Sequence, residues 1–95
     1  MKLSKRLEAV ATLVDIGKRV IDIGCDHGYL DIYLTLNNEN KCLATDVNQK
    51  ALNCAINNIK KSNLDIETVL SDGIKDVNLK GINTLVISGM GTSTI

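Results

Sequence analysis

Asp22-Ile23-Gly24-Cys25-Asp26-His27-Gly28-Tyr29-Leu30 is the stretch whose reading decides the fold of this chain. It follows a short apolar run, Arg19 to Ile23, and opens onto a helical pattern in which Leu30, Tyr33 and Leu34 share one face. A strand, a glycine turn and a helix in that order begin a parallel α/β unit. Gly24 allows a tight turn and lets a ligand approach the backbone with no Cβ in the way. Gly28 stands where the helix starts, and free backbone amides at such a point favour an anionic group. Asp46, twenty-two positions after Gly24, ends the next apolar run. Glycines at a strand-to-helix turn, followed by a carboxylate at the next strand end, are how an α/β sheet holds a nucleoside-bearing cofactor.

The flanking segments repeat the alternation. Leu3, Leu7, Val10 and Val14 recur at helical spacing, with Ser4 placed to cap and Gly17 to stop, which predicts a helix over about residues 5–15. Strands are predicted at Arg19–Ile23, at Lys41–Thr45, ending at Asp46, at Asp65–Leu70 and at Ile82–Ser88. The helix after the glycine turn dies in Asn37-Asn38. Asn48 caps a third helix, with Leu52, Ala55, Ile56 and Ile59 along its inner face. Residues 74–80 read as a turn or a short helix. The strands are near-continuous apolar runs, as expected for a parallel sheet covered on both faces by right-handed crossovers. If the strand order is 3-2-1-4, the fourth strand is an edge, apolar and without a guarding charge. A bare edge is a liability, so the whole chain, residues 1–95, is expected to be the N-terminal part of a larger α/β domain. Further strands, or self-association through that edge, would then cover Leu85 to Ile87.

Composition narrows the function. The 95 residues make one small domain at most, with a formal net charge of zero. There is no basic run to act as a nucleic-acid footprint, no apolar stretch long enough for a membrane, and no signal peptide at the charged start Met1 to Arg6. Phe and Trp are absent and there are two Tyr, which argues against a stacking platform for single-stranded bases. Cys25, Cys42 and Cys54 lack metal-ligand spacing, so no metal is expected and reduced thiols in the cytoplasm are.

The turn also discriminates between cofactors. A dinucleotide site has three glycines in G-x-G-x-x-G, whereas here Asp26 fills the middle position between Gly24 and Gly28. A carboxylate there repels a pyrophosphate and welcomes a sulfonium cation, which favours S-adenosyl-L-methionine over a nicotinamide cofactor. Asp46 would accept both ribose hydroxyls, or else serve as a helix cap beside Asn48. Asp72, ahead of Gly73, would accept from an adenine amino group, or else the two form a plain turn. Gly89-Met90-Gly91 opens space at the last strand end for a reacting base. It is not the proline-aromatic motif that holds an exocyclic amine, which argues against that route to N6-adenine methylation. His27, the single histidine, reads first as structural or base-orienting and second as a general base. Asp22, a carboxylate within an apolar strand, needs partners, and Arg6 would reach a cofactor carboxylate or stay on a solvated helix face.

With Leu3-Ser4-Lys5-Arg6-Leu7, the turn Asp22 to Leu30, Asp46, Ser71-Asp72-Gly73 and Gly89-Met90-Gly91 in this order, the chain resembles the bacterial tRNA (adenine(22)-N1)-methyltransferase family. The resemblance implies a Rossmann-like class I methyltransferase fold, S-adenosyl-L-methionine as cofactor, and methylation of N1 of an adenine in tRNA. It places the methionine part of the cofactor at Gly24, Asp26, His27 and Gly28. The ribose falls to Asp46, the adenine to Asp72 and Gly73, and the methyl-transfer rim to Gly89, Met90 and Gly91; Arg6, Asp22 and Val47 are further candidates for binding the cofactor. Asp26 and His27 are the candidates for orienting the base. Asp31 and Thr92 depart from the family pattern, which often has Pro and Gly there. Members are roughly twice as long or more, so the chain alone is expected to have little activity. The alternatives are a cofactor-binding half-domain without activity of its own, another small-molecule or RNA methyltransferase, and a nicotinamide-dependent enzyme.

Overall fold

In the computed structural model, which describes residues 3–75 and 77–87, the first helix starts where the capping pattern says. The Ser4 hydroxyl accepts the Leu7 amide at 3.2 Å, satisfying one of the orphan donors of the first turn. This helix, α1, spans Lys5–Thr12, three residues short of expectation. Its end tightens: the Leu13 and Val14 amides donate to Val10 and Ala11, and the Thr12 hydroxyl turns back onto the Ala9 carbonyl at 2.7 Å. Val14, predicted as helical core, is buried all the same.

Strand β1 (Arg19–Ile23), helix α2 (Tyr29–Asn37), strand β2 (Lys41–Asp46) and helix α3 (Gln49–Lys61) follow as read. Asn48 caps α3 through its side-chain oxygen, which accepts from Lys50 and Ala51 at 2.9 and 3.2 Å. Strand β3 covers Glu67–Leu70 and β4 covers Thr84–Val86. Both are shorter than predicted. Asn63 sits at a positive φ of 57° after α3, and pairing with β2 begins at Glu67. Residues 74–80 form turns where they are described, not a helix.

Among the described residues all strand pairings are parallel, as the alternation implied, and the order is β3-β2-β1-β4, the order considered for the Rossmann-like fold. One face of the sheet carries the larger core, in which Val20 and Ala44 pack beneath Leu30 and Leu34 of α2 and Leu52 and Ala55 of α3. Ile21, Ile23 and Leu43 alternate to the other face, covered by Val77 and Ile82 from the β3–β4 connection. Each fully buried side chain of this kind stabilises the fold by about 1.5–3 kcal/mol. Burial on both faces holds for β1 and β2 and fails for β3 and β4. At the β4 edge Leu85 is 51% exposed.

The ladder puts the strand ends in register. Ile23 lies beside Thr45, and Asp46 beside Leu70. The segments that leave β1, β2 and β3 therefore emerge side by side at the carboxyl edge of the sheet, where open α/β folds bind ligands.

Candidate cofactor-binding site

Strand β2, helix α3 and a bond within the turn itself fix the segment after β1. The Cys25 amide donates to the Thr45 carbonyl at 2.8 Å, and the Gly28 amide to the Cys25 carbonyl at 2.8 Å. Asn58, from α3, donates its side-chain amide to the His27 carbonyl at 2.9 Å. Gly24 and Gly28 have φ of 74° and 78°, and Asp26 has φ of 52°. A left-handed conformation costs an ordinary residue roughly 1–2 kcal/mol, and Asp46 helps hold Asp26 there by accepting its amide at 3.0 Å. Gly28 is required by space as well: a Cβ there would sit 3.1 Å from the Ala55 Cβ. Its main role is thus close approach of α2 and α3, and it does not line the cavity described next.

The turn, the end of β2 and the end of β3 enclose a cavity of about 520 Å³, within the usual range for small-ligand sites. Gly24, Asp26, Asp46, Val47, Asp72 and Gly73, all foreseen, line it. Ile23, Asn48, Ala51 and Ser71 line it too and were not singled out as ligand-facing. Ala51 carried a readable signal, a small residue in the first turn of the helix that follows Asp46. Three carboxylates face the space and, among the described residues, no Lys or Arg lines it. Lys75, 3.6 Å from Asp72, is exposed and engages that carboxylate from outside the lining.

Asp46 is tied in more firmly than the sequence suggested. Its Oδ2 accepts from Asp26 and its Oδ1 accepts from Asn48, at 3.0 and 2.9 Å. Both readings, ligand acceptor and cap, are thus compatible, because each oxygen keeps a second lone pair for a ribose hydroxyl.

Arg6 and His27 lie elsewhere. With Cys25, Asp26, Tyr29 and Leu30 they form a crevice of about 40 Å³ between α1 and the turn. Asp26 lines both spaces, so crevice and cavity adjoin. Gly89, Met90 and Gly91 lie outside the described residues.

Asp22 sits below the cavity, not in it. It is 0% exposed, as is Asp31 in the first turn of α2. Burial first, and the Asp22 charge second, hold the Asp31 carboxyl well above the usual carboxylate range. A side-chain hydrogen bond with Asp22 acts in the same direction, and a neutral acid is the form such a site tolerates. Burial, with Asp31 the largest charge contribution, pushes the Cys42 thiol up to about 12. Cys25 is raised further by burial and then by Asp31, Asp22 and Asp46. Both are inert core thiols at neutral pH. Among the described residues no cluster of His, Cys, Asp and Glu is arranged to hold a metal ion, and no helix is long and apolar enough to cross a membrane.

Comparison with known proteins bears on the cavity directly. The family described as a methyltransferase domain matches residues 3–95. The tRNA (adenine(22)-N1)-methyltransferase of Bacillus subtilis is 33% identical over 98 aligned positions, covering 100% of this chain and 41% of that protein. The structure of Mycoplasma capricolum TrmK in complex with S-adenosyl-homocysteine is similar at 46% identity and a TM-score of 0.77, covering 86% of this chain and 38% of that one. Streptococcus pneumoniae Sp1610 in complex with S-adenosyl-L-methionine superposes with a TM-score of 0.85 at 31% identity, covering 99% of this chain and 46% of that one. The chain thus spans about 40% of the length of the curated relative.

Proposed function

Because this chain belongs to the methyltransferase-domain family, and within it to the tRNA (adenine(22)-N1)-methyltransferases, we propose that its cavity binds S-adenosyl-L-methionine for methyl transfer to N1 of a tRNA adenine. The observation that carries this reading is the charge of the lining. Asp26, Asp46 and Asp72 face one space with no Lys or Arg among its described lining residues. That arrangement disfavours a pyrophosphate and suits a cation.

The lining residues divide the ligand among them. Asp46 presents its free lone pairs to the ribose hydroxyls, with Val47 against the sugar. Asp72 accepts from the exocyclic amine of the cofactor's adenine, and Gly73, with no Cβ, leaves room for the ring. Asp26 faces the sulfonium. Arg6, across the adjoining crevice, meets the cofactor's carboxylate. Gly89, Met90 and Gly91 are assigned to the substrate rim from sequence alone. When bound, the cofactor supplies an activated methyl group to a neutral ring nitrogen, so the protein's task is alignment and charge stabilisation. Asp26 and His27 orient the base. Asp22 acts from below, as part of the buried support of the turn.

The partner is tRNA, contacted mostly through regions outside residues 1–95. Three free cysteines, two of them buried, agree with a reducing cytoplasmic setting. The uncharged β4 edge is the surface through which a further strand, or a second copy, would add.

Titration calorimetry with S-adenosylhomocysteine and with NAD tests the cofactor. Binding of the first and not the second is expected, and the reverse would overturn the reading. Methyl transfer to unmodified tRNA, with N1-methyladenosine as the product, tests the activity, and its loss in Asp26→Ala of a full-length parent tests the orienting role.

A further inference from the structure

The chain has few rings, with no Phe, no Trp and two Tyr. The composition therefore argued against a base-stacking surface. The fold changes the weight of that argument by bringing two of the rings together beside the candidate site. The His27 and Tyr29 ring centroids are 5.5 Å apart, tilted by 48°. Tyr29 is 43% exposed, His27 is exposed, and both line the crevice that meets the main cavity at Asp26.

The rings stand on a rigid base. The His27 carbonyl is held by Asn58, the Asp26 amide by Asp46, and the Gly28 amide by Cys25. Tyr29 opens α2 directly after Gly28. A side chain exposed to this degree is not there to fill the core. Arg6, assigned above to the cofactor's carboxylate, lines the same crevice.

We infer that the exposed Tyr29–His27 pair is the platform on which a purine base, unstacked from an RNA strand, lies against the methyl-donor cavity. The inference rests on the reading above and adds to it the residues that receive the target base. Every base has a π-face, so aromatic stacking supplies affinity without hydrogen-bond readout. A base whose pairing edge must react has to leave its helix first, and a ring platform offsets the stacking it loses. Tyr29 is a positioning residue in this scheme, because it meets the base through its ring and takes no proton.

The test uses the full-length parent protein, saturated with S-adenosylhomocysteine, and a short hairpin RNA with 2-aminopurine in its loop, whose fluorescence is quenched on stacking. Saturable quenching is expected. Tyr29→Ala should weaken it by about fivefold to a hundredfold, the range measured for loss of one base–aromatic stack. Tyr29→Phe, which keeps the ring and loses the hydroxyl, should stay within about twofold of the parent by the same stacking argument. His27→Ala should fall in between. Calorimetry with S-adenosylhomocysteine should be unchanged in Tyr29→Ala, which also shows that the variant is folded. Undiminished quenching in Tyr29→Ala, or none in a parent chain that binds S-adenosylhomocysteine, overturns the platform and leaves the cofactor reading standing. A parent chain that fails to bind S-adenosylhomocysteine overturns both.

Discussion

The carboxylate of Asp46 accepts the backbone amide of Asp26 at 3.0 Å, across 20 positions of sequence. The bond joins the end of β2 to the glycine turn after β1. Its other oxygen holds the Asn48 amide at the start of α3 at 2.9 Å. One side chain thus sets the left-handed Asp26, starts a helix, and still offers lone pairs to the cavity. The Asp residue expected to bind a ribose is also the one that builds the site.

Replacing it should therefore cost stability and affinity together. Hydrogen bonds to charged groups contribute about 1.5–3 kcal/mol, and Asp46→Ala should lower the unfolding free energy by about that much or more in urea titrations. Asp46→Asn keeps one acceptor oxygen of the two and should lose about half as much by the same reasoning. Calorimetry should find S-adenosylhomocysteine affinity reduced in both variants. A variant of undiminished stability would show that these two bonds do not hold the turn.

Gly28 and Gly17 separate backbone strain from lack of space. Both have positive φ, 78° and 76°, but a Cβ at Gly28 meets Ala55 at 3.1 Å whereas one at Gly17 meets nothing within 4 Å. Gly17→Ala should cost the strain alone, about 1–2 kcal/mol. Gly28→Ala should cost that plus overpacking, about 1–3 kcal/mol more. Thermal unfolding of the two variants measures the difference, and equal losses would mean that α3 shifts to make room.

Asp31 gives the protein a pH dependence of known sign. Burial first, and Asp22 second, raise its folded-state pKa well above the ordinary carboxylate value of 3.8. The native state therefore holds a proton that the unfolded state has released, and this group's contribution to stability falls as pH rises from about 4 toward the folded-state value. Asp31→Asn supplies a neutral side chain of the same shape and removes that loss. The stability of Asp31→Asn relative to the parent should grow between about pH 4.5 and pH 7.5. A difference that stays flat, or shrinks, would place a charged carboxylate at Asp31 in the native protein.

The cysteines should separate in the same way. Cys54 is exposed, while Cys25 and Cys42 are buried with raised thiol pKa values. A thiol reagent near pH 8 should modify Cys54 quickly and reach the other two only on unfolding, since the thiolate is the reactive form. Cys54→Ser should abolish the fast phase. Fast modification of all three in the native state would contradict the burial of Cys25 and Cys42 beside Asp31.

The amino-acid order by itself determined the alternation of elements and the residues that leave the sheet at its carboxyl edge. Those depend on local signals: the caps at Ser4 and Asn48, the apolar period of α3, and the glycines at the β1 end. Gly24, Asp26, Asp46, Val47, Asp72 and Gly73 were legible because strand ends in a parallel sheet converge whatever lies between them. Element ends were less legible, because the start of β3 depends on where β2 offers partners and the end of α1 on bonds to Val10 and Ala11. Tertiary structure alone decided the rest. It put Asp22 beside Asp31 under the cavity, turned Gly28 into a contact with Ala55, occupied both oxygens of Asp46, and set Tyr29 against His27. Each of these depends on the distance between atoms far apart in the chain or on different turns of the backbone, and a pattern of residue types carries no such distance.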